Sequence, residues 1–311
     1  MPSVVAIDLG SNTCRAIEYD CATGAFGREF ERIVKTADRM HETGRIDDGA
    51  VARVIDALRA ADELFDLKKT PYRAVTTAAM RMAQNRDAVL ARIAEETGIG
   101  FEIIDADREA FYALTAVRAR LAQLGMETAS LCLIDIGGGS TEVIFYENGQ
   151  RVSKSFPIGI VTVAQQCTNP DEIRTFVRQR LLREVYIFVD TYIITRGGRP
   201  RTFVTTAGTP TTIAAFLQGM TYDSYDPAKI NGYRLTKPAC EQALQSLLEM
   251  DETERTLYVG VGREALIVAG IVIVELFYEV LDYNTSVVID DGVREGVAIA
   301  YCEERTGPAA S

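Results

Sequence analysis

A chain of 311 residues, 47% hydrophobic and 25% charged, is long enough for two domains with cores of their own. The formal net charge of −11 argues against nucleic-acid binding, and any polyanionic ligand must find a local positive site on an acidic surface. A single histidine, His41 in the polar stretch Arg39 to Gly44, excludes Ser-His-Asp triads, His-metal clusters and His-Asp phosphohydrolase chemistry.

The chain opens on an apolar strand, Val4 to Ile7, that ends in Asp8. A turn of small residues and a second apolar strand follow, and Cys21-Ala22-Thr23-Gly24 then turns the chain into a third strand. From Asp47 to Leu67 a helix is predicted. There Val51, Val54, Ile55, Leu58, Ala61 and Leu64 recur at helical spacing, with Asp47 or Asp48 as the cap. Arg73 to Thr76 reads as a short strand, Ala79 to Thr97 as a second amphipathic helix stopped by Gly98, and Phe101 to Ile104 as a strand. A helix is expected from about Asp107 to Leu124, and Gly125 to Thr128 connect to the second half.

There Leu131 to Ile134 is an apolar strand ending in Asp135, again followed by a turn and a second strand, and Asn148-Gly149 signals a hairpin. Further on we expect a helix near Asp171 to Thr191, a strand at Thr202 to Thr206 and a helix from near Thr211. A helical hairpin covers Lys237 to Met250 and Gly262 to Leu281. Its apolar run, Leu266 to Val274, is too short to span a bilayer and reads as a buried helix. A strand at Ser286 to Ile289 leads through Asp291 to Gly296 into a last helix.

The two openings are one pattern written twice. Asp8-Leu9-Gly10-Ser11-Asn12-Thr13-Cys14-Arg15 aligns without a gap against Asp135-Ile136-Gly137-Gly138-Gly139-Ser140-Thr141-Glu142, and the match runs on to Tyr19 and Tyr146. Two such halves are expected to face two loops across one cleft. Loops of this kind wrap phosphate oxygens, because Gly permits close backbone approach and small turns aim several N–H groups one way. The six cysteines include no C-x-x-C pair and read as reduced thiols, Cys14 and Cys132 within strands. The start, Met1 to Val4, carries no basic stretch of a secretory signal, so a cytoplasmic protein without membrane contact is expected.

With these parts in this order, the chain resembles the actin-like ATPase superfamily. Within it the chain is similar to the exopolyphosphatase/guanosine-pentaphosphate phosphohydrolase family, in its short two-domain form. The residues that carry the resemblance are Asp8 to Thr13 with Arg15; Thr77, Ala79, Arg81, Ala83 and Asn85; Glu109-Ala110; Asp135 to Glu142; Phe156 to Gly159; Gly208-Thr209; and Arg294-Glu295-Gly296. It departs from the family pattern at Arg108, where a Glu is usual, at Ala207 for a Gly, and at Arg263-Glu264-Ala265. The resemblance implies an α/β fold of duplicated ribonuclease H-like domains, each a mixed five-stranded sheet flanked by helices. The domains are expected at 1–124 and 125–311, with the last helix packing back on the first.

By resemblance, Glu109 activates or orients the attacking water, base work that carboxylates must do in a chain without a usable histidine. Asp135 ends a strand beside a phosphate loop and would repel the substrate unless a cation lay between. We therefore expect Mg²⁺, with Mn²⁺ as substitute, and Asp135 and Glu142 among its direct or water-mediated ligands. Asp8 either serves the same metal or caps its own turn. Ser11, Asn12, Thr13 and Arg15 read as the first phosphate loop and Gly137, Gly138, Gly139 and Ser140 as the second, with Arg81, Gly208 and Thr209 as further phosphate contacts. Arg81 and Asn85, four residues apart, are expected on one helix face. The implied substrate is inorganic polyphosphate or guanosine pentaphosphate, and a homodimer is common in the family. The alternatives are a weakly catalytic or non-catalytic nucleotide sensor, or an ATP-dependent small-molecule kinase on the same scaffold.

Overall fold

The computed structural model describes residues 3–167 and 169–306, so the outer ends of the two expected domains, 1–2 and 307–311, lie outside the described residues. The chain divides into two compact units, Met1–Ala116 with Asp291–Ser311, and Val117–Asp290.

Unit 1 opens with β1 (Ser3–Leu9), β2 (Thr13–Asp20) and β3 (Ala25–Ile33), an antiparallel meander. Short α1 (Met40–Thr43) precedes α2 (Asp48–Phe65). The α2 cap is Asp47, whose carboxylate accepts from the Ala50 N–H at 2.8 Å. Val51, Val54, Ile55, Leu58 and Ala61 are buried as their spacing demands, whereas Leu64 stays exposed. After β4 (Tyr72–Thr76), the stretch read as one helix is two, α3 (Ala78–Met82) and α4 (Arg86–Thr97). Ala83 is extended at ψ 129°, and Asn85 spends its amide on both backbone groups of Ile46, which leaves no continuous helix face shared by Arg81 and Asn85. Next come a two-residue β5 (Glu102–Ile103) and α5 (Ala106–Gln123), across which the division between units falls. The strand order is β3-β2-β1-β4-β5, with β1, β4 and β5 parallel. The whole of Val4 to Ile7 is buried, as befits a central strand covered on both faces.

Unit 2 repeats the plan. It has β6 (Ser130–Ile136), β7 (Thr141–Glu147), β8 (Gln150–Phe156), α6 (Ile160–Ala164), α7 (Pro170–Arg196), β9 (Thr202–Thr206) and α8 (Gly208–Leu217). It continues with α9 (Pro227–Ile230), β10 (Tyr233–Thr236), α10 (Lys237–Glu249), α11 (Glu252–Val259), α12 (Glu264–Leu281) and β11 (Thr285–Val288). Its order, β10-β11-β9-β6-β7-β8, matches the first sheet strand for strand once β10 is set aside. The second sheet therefore has six strands where five were expected. The extra strand pairs antiparallel with β11 and buries only Leu235, too short a pattern to show alternation. From Ile267 to Leu281 all but one residue of α12 is buried, so the apolar run is a core helix. No described helix is long and apolar enough to cross a membrane.

The last helix, α13 (Val293–Thr306), belongs to unit 1, where it packs on β1, β2 and β4. That packing corrects the reading of the cysteines. Cys21, in the β2–β3 turn, and Cys302, on α13, form a disulfide with Cα atoms 5.4 Å apart. Their separation of 281 residues leaves no spacing signal, and only the return of α13 brings them together. The other four cysteines are free and buried.

Candidate active site

The duplicated turns are alike in backbone detail. In unit 1 Asp8 stands directly opposite Arg15 and the Gly10 N–H donates to Thr13 O at 2.9 Å. In unit 2 Asp135 stands opposite Glu142 and the Gly137 N–H donates to Ser140 O at the same distance. The turn carbonyls are engaged from behind in both copies. Ser11 O accepts from Ala37, and Asn12 O from Val34 and Lys35; Gly137 O accepts from Ile160, and Gly138 O from Val161. Every peptide here is trans, so the N–H of each following residue points opposite to the engaged carbonyl. The N–H groups of Asn12 and Thr13, and those of Gly138 and Gly139, therefore point away from those contacts. In unit 2 the fit is tight. A Cβ on Gly159 would lie 2.3 Å from Gly138 O and 2.5 Å from Gly139 N, so only glycine lets α6 seat against the loop.

Unit 1 gathers Glu109, Arg81, Asp8 and Arg15. Glu109 sits in the first turn of α5 and is 8% exposed. Arg81 donates to its Oε2 at 2.5 Å and to Ile104 O at 3.0 Å. Burial pushes the Glu109 carboxyl above its ordinary range, and the Arg81 guanidinium works against that shift. Asp8 keeps a little surface, but its Oδ1 is buried without a hydrogen-bond partner. Burial first, then the Glu109 and Glu295 carboxylates, push Asp8 up to about 7, while Arg15 and Arg294 pull the other way. Arg15 also holds Glu31 at 3.0 Å.

Glu295 and Arg294 are residues to which sequence reasoning assigned no role, although their motif was visible. The Glu295 carboxylate accepts from the Gly292 N–H at 2.8 Å and from Arg294 Nε at 2.6 Å, and Arg294 also pairs with Glu29 at 3.1 Å. They reach Asp8 because Gly296 lets α13 close on α5; a Cβ there would lie 1.9 Å from Tyr112 O. Arg108 turns away from this group to Glu102 and the Tyr112 hydroxyl.

Unit 2 gathers Asp135, Glu142, Gly137 to Gly139 and Ser140. Directly opposite residues in an antiparallel pair share a face, so the Asp135 and Glu142 carboxylates are neighbours, and both are buried. Ser155 donates to Glu142 Oε1 at 2.7 Å. Asp135 also pairs in register with Thr206 at the end of β9, from which the chain enters α8 at Gly208. The Thr209 side chain is buried against Gly270 of α12 and its hydroxyl has no hydrogen-bond partner, which leaves its backbone N–H, at the open end of α8, as the group available to an anion. Ala207 just before it holds φ 74°, ψ −178°, a region that L side chains rarely occupy.

Among the described residues no three His, Cys, Asp or Glu side chains cluster closely enough to form a metal cage. Mg²⁺ does not need one, since one or two carboxylates with waters and substrate phosphates suffice. The hard oxygen donors match that pattern: an orphaned Asp8 oxygen in unit 1 and two neighbouring buried carboxylates in unit 2.

Two sheets of matching strand order, the second one strand longer and each opening on an Asp-turn-strand unit, define an actin-like ATPase-type fold. The Ppx/GppA phosphatase family model matches residues 28–304, and the chain belongs to that family. It is 31% identical to exopolyphosphatase 2 of Mycobacterium tuberculosis over 297 residues, covering 88% of each chain. Guanosine-5′-triphosphate,3′-diphosphate pyrophosphatase of Aeromonas hydrophila is 24% identical over 95% of this chain and 58% of its own length. The crystal structure of the Aquifex aeolicus family member superposes with a TM-score of 0.74 at 28% identity, over 98% of this chain and 99% of that one.

Proposed function

We propose that this enzyme releases terminal orthophosphate from inorganic polyphosphate. In this reading Glu109 takes the proton of the attacking water, the Asn12–Thr13 and Gly138–Gly139 amides bind phosphoryl oxygens, and Arg15 and Arg81 add positive charge. The observation that carries it is the Glu109 site: a buried carboxylate with a raised pKa, held by Arg81 and close enough to Asp8 for the two charges to act on each other. A base shifted upward in this way is a stronger proton acceptor when ionised. Asp8, Asp135 and Glu142 are the groups that would hold Mg²⁺, or Mn²⁺ in its place. The bound cation supplies neutralisation of charge on the phosphoryl oxygens. Guanosine pentaphosphate is the second substrate of this reading, on the strength of the Aeromonas hydrophila relative.

The test is phosphate release from polyphosphate and from guanosine pentaphosphate with Mg²⁺, side by side with Glu109→Gln. The wild type should turn over at least one substrate, and the variant should lose about 10²- to 10⁴-fold in kcat. Failure to cut either, with tight binding retained, would instead favour a sensor.

A further inference from the structure

The first turn of α5, which carries Glu109, is gripped on two sides. On one side Arg81 of α3 bridges Glu109 and Ile104 O, which lies between β5 and α5. On the other, Arg108 pairs with Glu102 of β5 and donates to the Tyr112 hydroxyl at 2.6 Å. Consecutive residues of a helix project about 100° apart, so the two grips hold different faces of α5 and together fix its rotation. The Asp105 side chain accepts from the Arg108 N–H at 2.8 Å and caps the same turn. Tyr112 carries the second grip inward. It is buried, Arg73 of β4 acts on its hydroxyl, and its carbonyl oxygen is the atom against which Gly296 of α13 closes. All of these residues belong to unit 1.

We propose that Arg108 is a positioning residue: its pairing with Glu102 sets the rotation of α5 and so the placement of the Glu109 carboxylate toward the attacking water. The inference rests on the reading of Glu109 as the base. A glutamate at position 108 would meet the Glu102 carboxylate across the same span and be repelled by it. Arg108 and Glu102 are therefore a matched pair, and the departure from the family pattern at this position is a change in how the turn is clamped. Both side chains are close to half exposed, at 43% and 47%. An exposed pair of this kind adds little to global stability. Its contribution is local, selecting one orientation of a turn whose base must be aligned to act.

Steady-state kinetics of phosphate release with Mg²⁺, on whichever of the two substrates the wild type turns over, test this. Arg108→Gln and Arg108→Glu should each lose about 3- to 10-fold in kcat, the range that an ion pair of modest strength can enforce, with KM held within about 2-fold. The swap of Glu102→Arg with Arg108→Glu should bring kcat back to within about 2-fold of wild type. The melting temperature of Arg108→Gln should match that of the wild type. A residue that merely held the fold together would move the melting temperature, and one that bound substrate would move KM. Single variants with wild-type kcat, a loss that falls on KM, or a swap that fails to rescue overturns the proposal and leaves the reading of Glu109 standing. A wild type that cuts neither substrate overturns both.

Discussion

Arg81 closes α3 onto the first turn of α5 by donating to Glu109 at 2.5 Å, the charge-assisted contact that opposes the upward shift burial imposes on that carboxyl. Removing the guanidinium leaves desolvation unopposed, and the Glu109 pKa must rise further. A base has to be ionised to act, so in Arg81→Met the acid limb of the rate profile moves to higher pH. Activity on the acid side of the optimum should fall roughly 10-fold or more, and part of it should return as pH is raised. The pH–rate profile for phosphate release checks this. An acid limb that stays put in the variant would remove Arg81 from any role in tuning the base.

Asp8 makes a stability prediction whose sign is fixed by the direction of its shift. Its folded pKa is raised from 3.8 to about 7, so between those values the folded state holds a proton that the unfolded chain releases. The stability associated with that proton is complete below about pH 4, is lost as pH rises through 7, and does not change further above it. In the presence of EDTA, Asp8→Asn should abolish this fall and leave the variant about 2–4 kcal/mol more stable than wild type at pH 8. Urea midpoints at pH 4.5, 6 and 8 give the comparison. The same variant should also lose most of the Mg²⁺-dependent rise in melting temperature. Parallel pH slopes for the two proteins would contradict the account.

The strand skeleton was legible because its signals are local. Apolar runs ending in Asp at positions 8 and 135 gave both central strands, and the gapless repeat between them gave the duplicated sheets. The cap at Asp47 and the stop at Gly98 fell where the chain chemistry put them. Other features depend on contacts between residues far apart in sequence. The break at Ala83 is made by Asn85 reaching back to Ile46. Glu295 approaches Asp8 only because α13 returns to β1 after the whole of unit 2. Gly159 looked like part of a motif, yet its reason is the backbone of Gly138, 2.3 Å from where a Cβ would stand. The duplicated turns fall between these cases. Their glycines were visible, but the direction of the N–H groups follows from which carbonyls the distant residues 34–37 and 160–161 engage.

Ala207 holds a backbone conformation, φ 74° and ψ −178°, that is almost exclusive to glycine and costs about 1–3 kcal/mol in other residues. It stands where β9 hands over to α8, and where the family pattern has glycine. Ala207→Gly should relieve that strain, less the entropy that glycine adds to the unfolded chain, for a net gain of about 0.5–2 kcal/mol. Chemical denaturation should show a higher midpoint with an unchanged slope. A lower midpoint would mean that the Ala207 methyl contributes packing worth more than the strain.

The Cys21–Cys302 bond ties the far end of α13 to the β2–β3 turn, while the near end of the same helix carries Arg294 and Glu295 toward Asp8. Cross-linking residues so distant in sequence restricts the unfolded chain strongly, and native disulfides typically contribute about 2–4 kcal/mol. Thiol titration in denaturant should find four reactive cysteines in unreduced protein and six after reduction. Cys302→Ser and the Cys21→Ser/Cys302→Ser double variant should both lose stability, and by similar amounts, because either change removes the same bond. Adding reductant should lower the wild-type midpoint toward theirs and leave the variants unmoved. Six thiols in the unreduced protein would show that the two cysteines meet without bonding, and the stability difference should then shrink to that of two buried side chains.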